Sequence, residues 1–177
     1  NRISDVFNNF KKKISKKYIV YIDSPLDHPE GILKNGYFNA NNKKIYYKKL
    51  NIFLLKLSKI LKKKIIICLH PKDVSWKNNF QKLKCTKYKS VDFIAKASVV
   101  IANVSSLVGE SVFFKKKTIV LNSRYLGDYY NYKSKTMSRM YNLRYQNIDS
   151  IENLNFNKKE LLLDLSHRQK KYDYFLQ

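Results

Sequence analysis

The sequence predicts an α/β domain: a Rossmann-like parallel sheet with helices on both faces. Three observations carry that expectation. Four short runs rich in β-branched residues are apolar at nearly every position, as strands buried on both sides are. Stretches with apolar residues three and four apart, as on amphipathic helices, lie between them. The runs also end at polar clusters, in order Asp23-Ser24, His70-Pro71-Lys72, Asn103-Val104-Ser105-Ser106 and Asn122-Ser123-Arg124.

Ile19-Val20-Tyr21-Ile22 is the first strand and stops at Asp23-Ser24-Pro25. Residues 24–44 carry Pro25, Pro29, Gly31, Gly36 and several Asn, so they are expected to form a long loop. Tyr46, Leu50, Phe53, Leu54, Leu57, Ile60 and Leu61 then mark an amphipathic helix with Lys on its outer face. Ile65-Ile66-Ile67-Cys68-Leu69 is the second strand. Residues 74–83, with Trp76 and Phe80, read as a short helix, and Val91, Ile94 and Ala95 as another short helical face.

Val99-Val100-Ile101-Ala102 is the third strand. Ser105 or Ser106 caps a helix running through Phe114, and Thr118-Ile119-Val120-Leu121 is the fourth strand. The tyrosine-rich stretch from Tyr125 to Tyr145 shows no clear period and is expected to be irregular. Residues 151–157 read as a hinge into a closing helix over 158–176.

A chain of 177 residues suffices for one ordinary domain, 1–177, and its opening on Asn1 rather than Met suggests a piece of a longer protein. Lys and Arg total 36 against 13 acids, a formal charge of +23. Lys, Asn, Ile and Tyr are abundant together, as in proteins encoded by AT-rich genomes, and much of the charge is read as compositional. The remainder suits polyanions or an anionic membrane surface. Cys68 and Cys85 form no CxxC pair, which favours a reducing, cytoplasmic compartment. The longest apolar runs fall far short of the roughly 20 residues of a spanning helix.

In open parallel sheets, ligands bind outside the carboxyl ends of the strands, where these four polar clusters fall. Pro71 biases His70 toward extended geometry, so its imidazole would project from the strand end, beside the cation of Lys72. Both could donate hydrogen bonds to phosphate oxygens. Ser105 and Ser106 open a helix, where unpaired N–H groups and the helix dipole favour an anion. Glu110 lies one turn further on the same face and could bond a ribose diol. Asp23, Asp27, His28 and Glu30 crowd the first loop. Paired acids there could serve as base and orienting group, although Asp-Ser-Pro and Asp-His-Pro read more readily as turn formers.

Other chemistries lack their residues. Gly31 and Gly36 have P-loop spacing, but Tyr37-Phe38 stand where Lys and Ser or Thr are needed. There is no GxGxxG, no serine-hydrolase elbow, no metal-ligand spacing and no Asp-x-Asp pair. Neither a metal nor a cofactor is expected.

The order of these motifs, a His-Pro after a buried strand, then a Ser-Ser helix start with Gly109-Glu110 behind it, resembles the donor-binding, C-terminal half of GT-B glycosyltransferases. The resemblance runs from about residue 17 to 130 and is nearest to bacterial capsule and lipopolysaccharide enzymes with His-Pro and Ser-Ser motifs. It implies that His70, Lys72, Ser105 and Ser106 hold the donor phosphate and that Glu110 lies toward the ribose. It also implies a catalytic base in another domain, so Asp23 and Asp27 are only secondary candidates for that role. The expected partners are a nucleotide-sugar donor, with a CMP-sugar one option, and a glycan or glycolipid acceptor. Peripheral contact with the anionic inner face of the membrane is a further expectation. Two other readings stand beside this one: a transferase moving a polyol phosphate from a CDP-linked donor, and a basic nucleic-acid-binding module, for which no motif speaks.

Overall fold

The computed structural model describes residues 17–26, 39–72, 79–80, 83–153 and 157–170. They build one six-stranded, all-parallel sheet. In chain order its elements are β1 (Tyr18–Ile22), α1 (Ala40–Leu61), β2 (Lys64–Cys68), β3 (Lys84–Thr86), α2 (Ser90–Ala95), β4 (Ala97–Ala102), α3 (Leu107–Phe113), β5 (Lys117–Asn122), α4 (Asp128–Met140), β6 (Arg144–Asn147) and α5 (Lys158–Lys170). Short 3₁₀ turns at Arg124–Leu126 and Ile151–Asn153 join the later elements.

The strand order is β3-β2-β1-β4-β5-β6, the doubly wound Rossmann order. The sheet grows outward from β1 in one direction and from β4 in the other, so the switch point lies between these two. Tyr18–Ile22 is in register with Lys64–Cys68 on one side, and Ile19–Ile22 with Val99–Ala102 on the other.

Strand residues alternate between two cores. Ile19, Tyr21, Ile65, Ile67, Val99 and Ile101 face α1 and α5, whereas Val20, Ile22, Ile66, Cys68, Val100 and Ala102 face α2 and α3. Being buried on both faces is why these strands are apolar nearly throughout. The helix α1 buries Tyr46, Leu50, Phe53, Leu54, Leu57 and Leu61, the spacing expected from sequence. Its start corrects the expected loop: Asn39 Oδ1 accepts from the Asn42 N–H at 2.9 Å, so residues 40–44 are already helical. Residues 27–38 of that loop lie outside the described residues. So does most of the helix expected at 74–83, although Phe80 is buried against Tyr21 and Tyr47, with ring centroids 5.9 and 5.3 Å away.

The stretch from Tyr125 to Tyr145 is not irregular. It holds a thirteen-residue helix and the sixth strand. The buried face of α4 is Tyr130, Ser134 and Ser138, spaced at four, and its small polar residues pack without leaving an apolar period. The two strands that escaped the sequence reading, β3 and β6, are the edges of the sheet. The closing helix runs through Lys170, and the rest of the span expected for it lies outside the described residues. No helix among the described residues is long and apolar enough to cross a membrane.

One buried polar cluster ties α1 to the switch point. The Asn103 amide, just past β4, donates to the hydroxyls of Tyr46 on α1 and Tyr21 on β1, and the two hydroxyls lie 3.4 Å apart. Asn103→Ala should remove donors from two buried hydroxyls and destabilise the fold by about 1–3 kcal/mol. Tyr46→Phe added to it should cost less than the sum of the two single changes. Urea unfolding of the two single variants and the double variant checks both. An additive double variant would mean that the three side chains do not act as one cluster.

Asp164 on α5 accepts from Arg144 Nη1 and Arg168 Nε, each at 2.8 Å, pinning α5 to the entry of β6. Partial burial works against its charge, but the hydrogen bonds from Arg168 and Arg144 outweigh it and hold the carboxyl below its ordinary value. A carboxyl lowered by folding stabilises above its unfolded pKa of about 3.9, and that contribution is lost as pH falls through the folded value. Asp164→Asn should therefore cost stability at neutral pH and flatten the acid limb below about pH 4. Thermal midpoints measured from pH 7 to 2.5 would show it. Parallel acid limbs for variant and parent would remove Asp164 from the acid response.

Candidate functional site

A pocket of about 300 Å³ opens at the carboxyl edge of the sheet, around the ends of β1, β2 and β4. Because β2 and β4 both flank β1, their ends stand about 10 Å apart, a span suited to one ligand. Asp23 comes from β1, His70 and Pro71 from β2, and Ser105 from the turn after β4. The β3–α2 connection supplies Tyr88 and Lys89 to the remaining wall, and the first turn of α2 supplies Ser90 and Asp92.

His70 is half-buried, and the Lys72 N–H donates to its Nδ1 at 3.2 Å. That bond makes Nδ1 an acceptor, so the neutral imidazole carries its proton on Nε2. Lys72 itself is exposed and does not line the pocket.

Ser105 and Ser106 divide the work expected of either. The Leu107 N–H donates to Ser105 Oγ at 3.3 Å, so Ser105 carries the cap while its own hydroxyl hydrogen stays available to a ligand. Ser106 holds the position before the helix without a side-chain cap bond, is exposed, and lies outside the pocket lining. Glu110 is half-buried on α3 and does not line the pocket either.

Asp23 is 2% exposed at the pocket floor. Burial, then the charges of Tyr46 and Asp23, push the Tyr21 phenol well above its ordinary value, while burial above all raises that of Tyr46. Both phenols therefore stay neutral beside the carboxylate. Asp27 lies outside the described residues.

The strand-end loops are stitched to one another. The Asp23 N–H donates to Cys68 O at 2.9 Å, and Ser24 Oγ donates to Val104 O at 2.8 Å. Burial pushes the Cys68 thiol up to about 11, partly offset by a hydrogen bond with Ser90. It is thus a protonated wall residue and no nucleophile. The fourth strand end is self-satisfied: Ser123 Oγ donates to Asp149 Oδ1 at 2.5 Å, and Asn131 brackets the Ser123 backbone. Asn103, at the third end, points inward to the two tyrosines.

Of the wall from Tyr88 to Asp92, the sequence reading covered only the helical segment that begins at Val91, and Tyr88, Lys89 and Ser90 were not singled out. Their signal is faint, because β3 is three residues long and mostly polar. Tyr88 adopts φ 62° and is 82% exposed, an unusual backbone for an aromatic residue and one that holds the ring out at the pocket mouth.

Comparison with solved structures gives similar chain paths at low identity. The chain is 12% identical to the Methanocaldococcus jannaschii UDP-GlcNAc 2-epimerase solved with UDP-GlcNAc and UDP, over 93% of this chain and 41% of that one, with a TM-score of 0.49. For a variant of the wall teichoic acid polymerase TagF the identity is 18%, over 98% and 41%, with a TM-score of 0.46. A second TagF structure gives 15% over 98% and 45%, at 0.42. The chain spans about two-fifths of the length of these proteins. No protein-family model matches it, and no curated protein is significantly similar to it.

Proposed function

We propose that this domain binds the phosphate of a nucleotide-activated sugar and forms the donor half of a glycosyltransferase of bacterial surface-polysaccharide synthesis. The reading rests on one observation: a single pocket at the switch point of a doubly wound sheet is lined by His70 and Ser105 on opposite sides. His70 offers the proton on Nε2 and Ser105 its hydroxyl hydrogen. A phosphate between them meets two fixed donors, with the Lys72 and Lys89 charges nearby.

When the bond from the sugar to the phosphate oxygen breaks, the electron pair stays on the phosphate, which gains negative charge. Donors already in place stabilise that charge without reorganising, and this is the domain's catalytic share. Asp23 has both carboxyl oxygens buried, so it shapes the pocket floor from beneath rather than reaching a ligand. Lys72, Ser106 and Glu110 stand around the pocket rather than in its lining, so they act on a ligand long enough to reach past it. Glu110 is assigned to the ribose. No divalent ion takes part in this scheme, and the base comes from elsewhere in the enzyme.

Calorimetric titration with CMP, CDP and UDP, with and without EDTA, tests the reading. Binding should survive the chelator. A charge-assisted hydrogen bond contributes about 1.5–3 kcal/mol, so His70→Ala should weaken binding roughly tenfold or more. The double change Ser105→Ala with Ser106→Ala should cost a similar amount. The thermal midpoint of the free domain should barely move in His70→Ala and should fall by a few degrees in the serine variant, which loses the Ser105 cap of α3. Unchanged nucleotide binding in both variants would remove the pocket from the mechanism. Preference for CDP-glycerol over CMP-sugars would select the polyol-phosphate reading instead.

A further inference from the structure

The opposite edge of the sheet has its own chemistry. Every inner strand, and β3 with them, is entered through a lysine: Lys17 before β1, Lys64 opening β2, Lys84 opening β3, Lys96 before β4 and Lys117 opening β5. Parallel pairing puts all five on one rim, and all but Lys117 are exposed.

Among the described residues most carboxylates lie away from this rim, Glu160 in the first turn of α5 beside Lys158 being an exposed exception. Asp23 and Asp92 line the donor pocket at the far edge, and Glu110 and Asp128 sit in the first turns of α3 and α4, also at that edge. Asp164 reaches toward the lysine rim, but Arg144 and Arg168 already engage it.

Two helices end here on lysines in an unfavourable backbone. Lys62 after α1 and Lys115 after α3 both have φ 52°, a left-handed position where Gly or Asn is easier. The chain uses Asn142 at the corresponding place after α4. Lysine at the other two positions keeps charge on the rim at the expense of backbone comfort.

The rim is also concave and partly greasy. A cavity of about 520 Å³ between α5 and the strand entries has Lys63, Lys115, Lys116 and Lys158 on its walls. Val99, Phe114 and Leu162 line it as well. Phe113 and Met140, at the ends of α3 and α4 that return to this edge of the sheet, are 37% and 56% exposed. Lysines interleaved with exposed apolar side chains match the boundary between anionic headgroups and acyl chains. A polyanion without stacking bases would gain nothing from the apolar part, and the unbranched Met140 offers no ring for a base to stack on.

We propose that the amino edge of the sheet is a docking face for an anionic phospholipid bilayer, with lipid phosphates among the lysines and Phe113 and Met140 at the acyl boundary. Strands of five or six residues hold the donor pocket about 17–20 Å from the surface, beyond a Debye length of about 8 Å. The pocket then opens away from the membrane. The inference does not rest on what the pocket binds.

Cosedimentation with vesicles of phosphatidylcholine alone, or mixed with phosphatidylglycerol, tests it. The chain should bind the anionic vesicles and not the neutral ones. The triple variant Lys64→Glu, Lys96→Glu, Lys115→Glu should lose binding by a hundredfold or more, at about fivefold per lysine removed and more for reversal. Lys44→Glu, Lys48→Glu, Lys135→Glu, which changes net charge equally on α1 and α4, should keep most of it. Phe113→Ser should weaken vesicle binding while leaving oligonucleotide binding alone. CMP and CDP titrations on all variants should match the parent, which separates this face from the donor pocket. If the glutamate triple fails to fold, the corresponding glutamine triple takes its place. Equal losses in both triples would reduce the effect to net charge and overturn the proposal. So would no binding to anionic vesicles, or an edge triple that loses single-stranded oligonucleotide but keeps vesicles.

Discussion

Everything in this fold depends on β1 being buried on both faces while strands are added on either side of it. A strand in that position has no solvated side for a charged residue, and its one buried polar group, the Tyr21 hydroxyl, is hydrogen-bonded. Its parallel neighbours must return by helices. Those crossovers deliver each strand's carboxyl end to one edge of the sheet and each amino end to the other. The molecule thereby acquires two chemically distinct rims from one topological rule. Asp23, His70 and Ser105 become neighbours, although 82 residues of sequence separate the first from the last.

The hydrogen bonds around the switch point turn that proximity into a defined geometry. Asn103 spends its amide on Tyr21 and Tyr46, locking the turn after β4 to the neighbouring strand and to α1. Ser24 and the Asp23 backbone join the three strand ends directly. The polar groups around the pocket thus have their positions set by the fold itself, which is the condition for electrostatic stabilisation without reorganisation.

The inner sheet was plain in the sequence because burial on both faces leaves almost no polar position to confuse the reading. All four runs identified there are inner strands. Those missed, β3 and β6, are edges, where Lys84-Cys85-Thr86 and Arg144-Tyr145-Gln146-Asn147 can afford polarity. The helix α4 was hidden for a related reason, since serines rather than leucines fill its buried face. Of the site, His70 and Ser105 could be read from their position after strands. The part of the wall from Tyr88 to Ser90 could not, because its place is fixed by an edge strand too short to announce itself. Lys72, Ser106 and Glu110 look equivalent to their neighbours in sequence, and only the turn geometry separates lining from surround.

The shortness of those edges has a consequence for the molecule in solution. An open parallel sheet ends in two rows of backbone donors and acceptors that another chain could extend. Here one border offers three residues and begins with Lys84, while the other offers four and begins with Arg144. Strands so brief and so charged are poor templates for intermolecular pairing. Among the described residues, a chain rich in isoleucine and tyrosine thus presents little regular backbone at either border for another chain to extend.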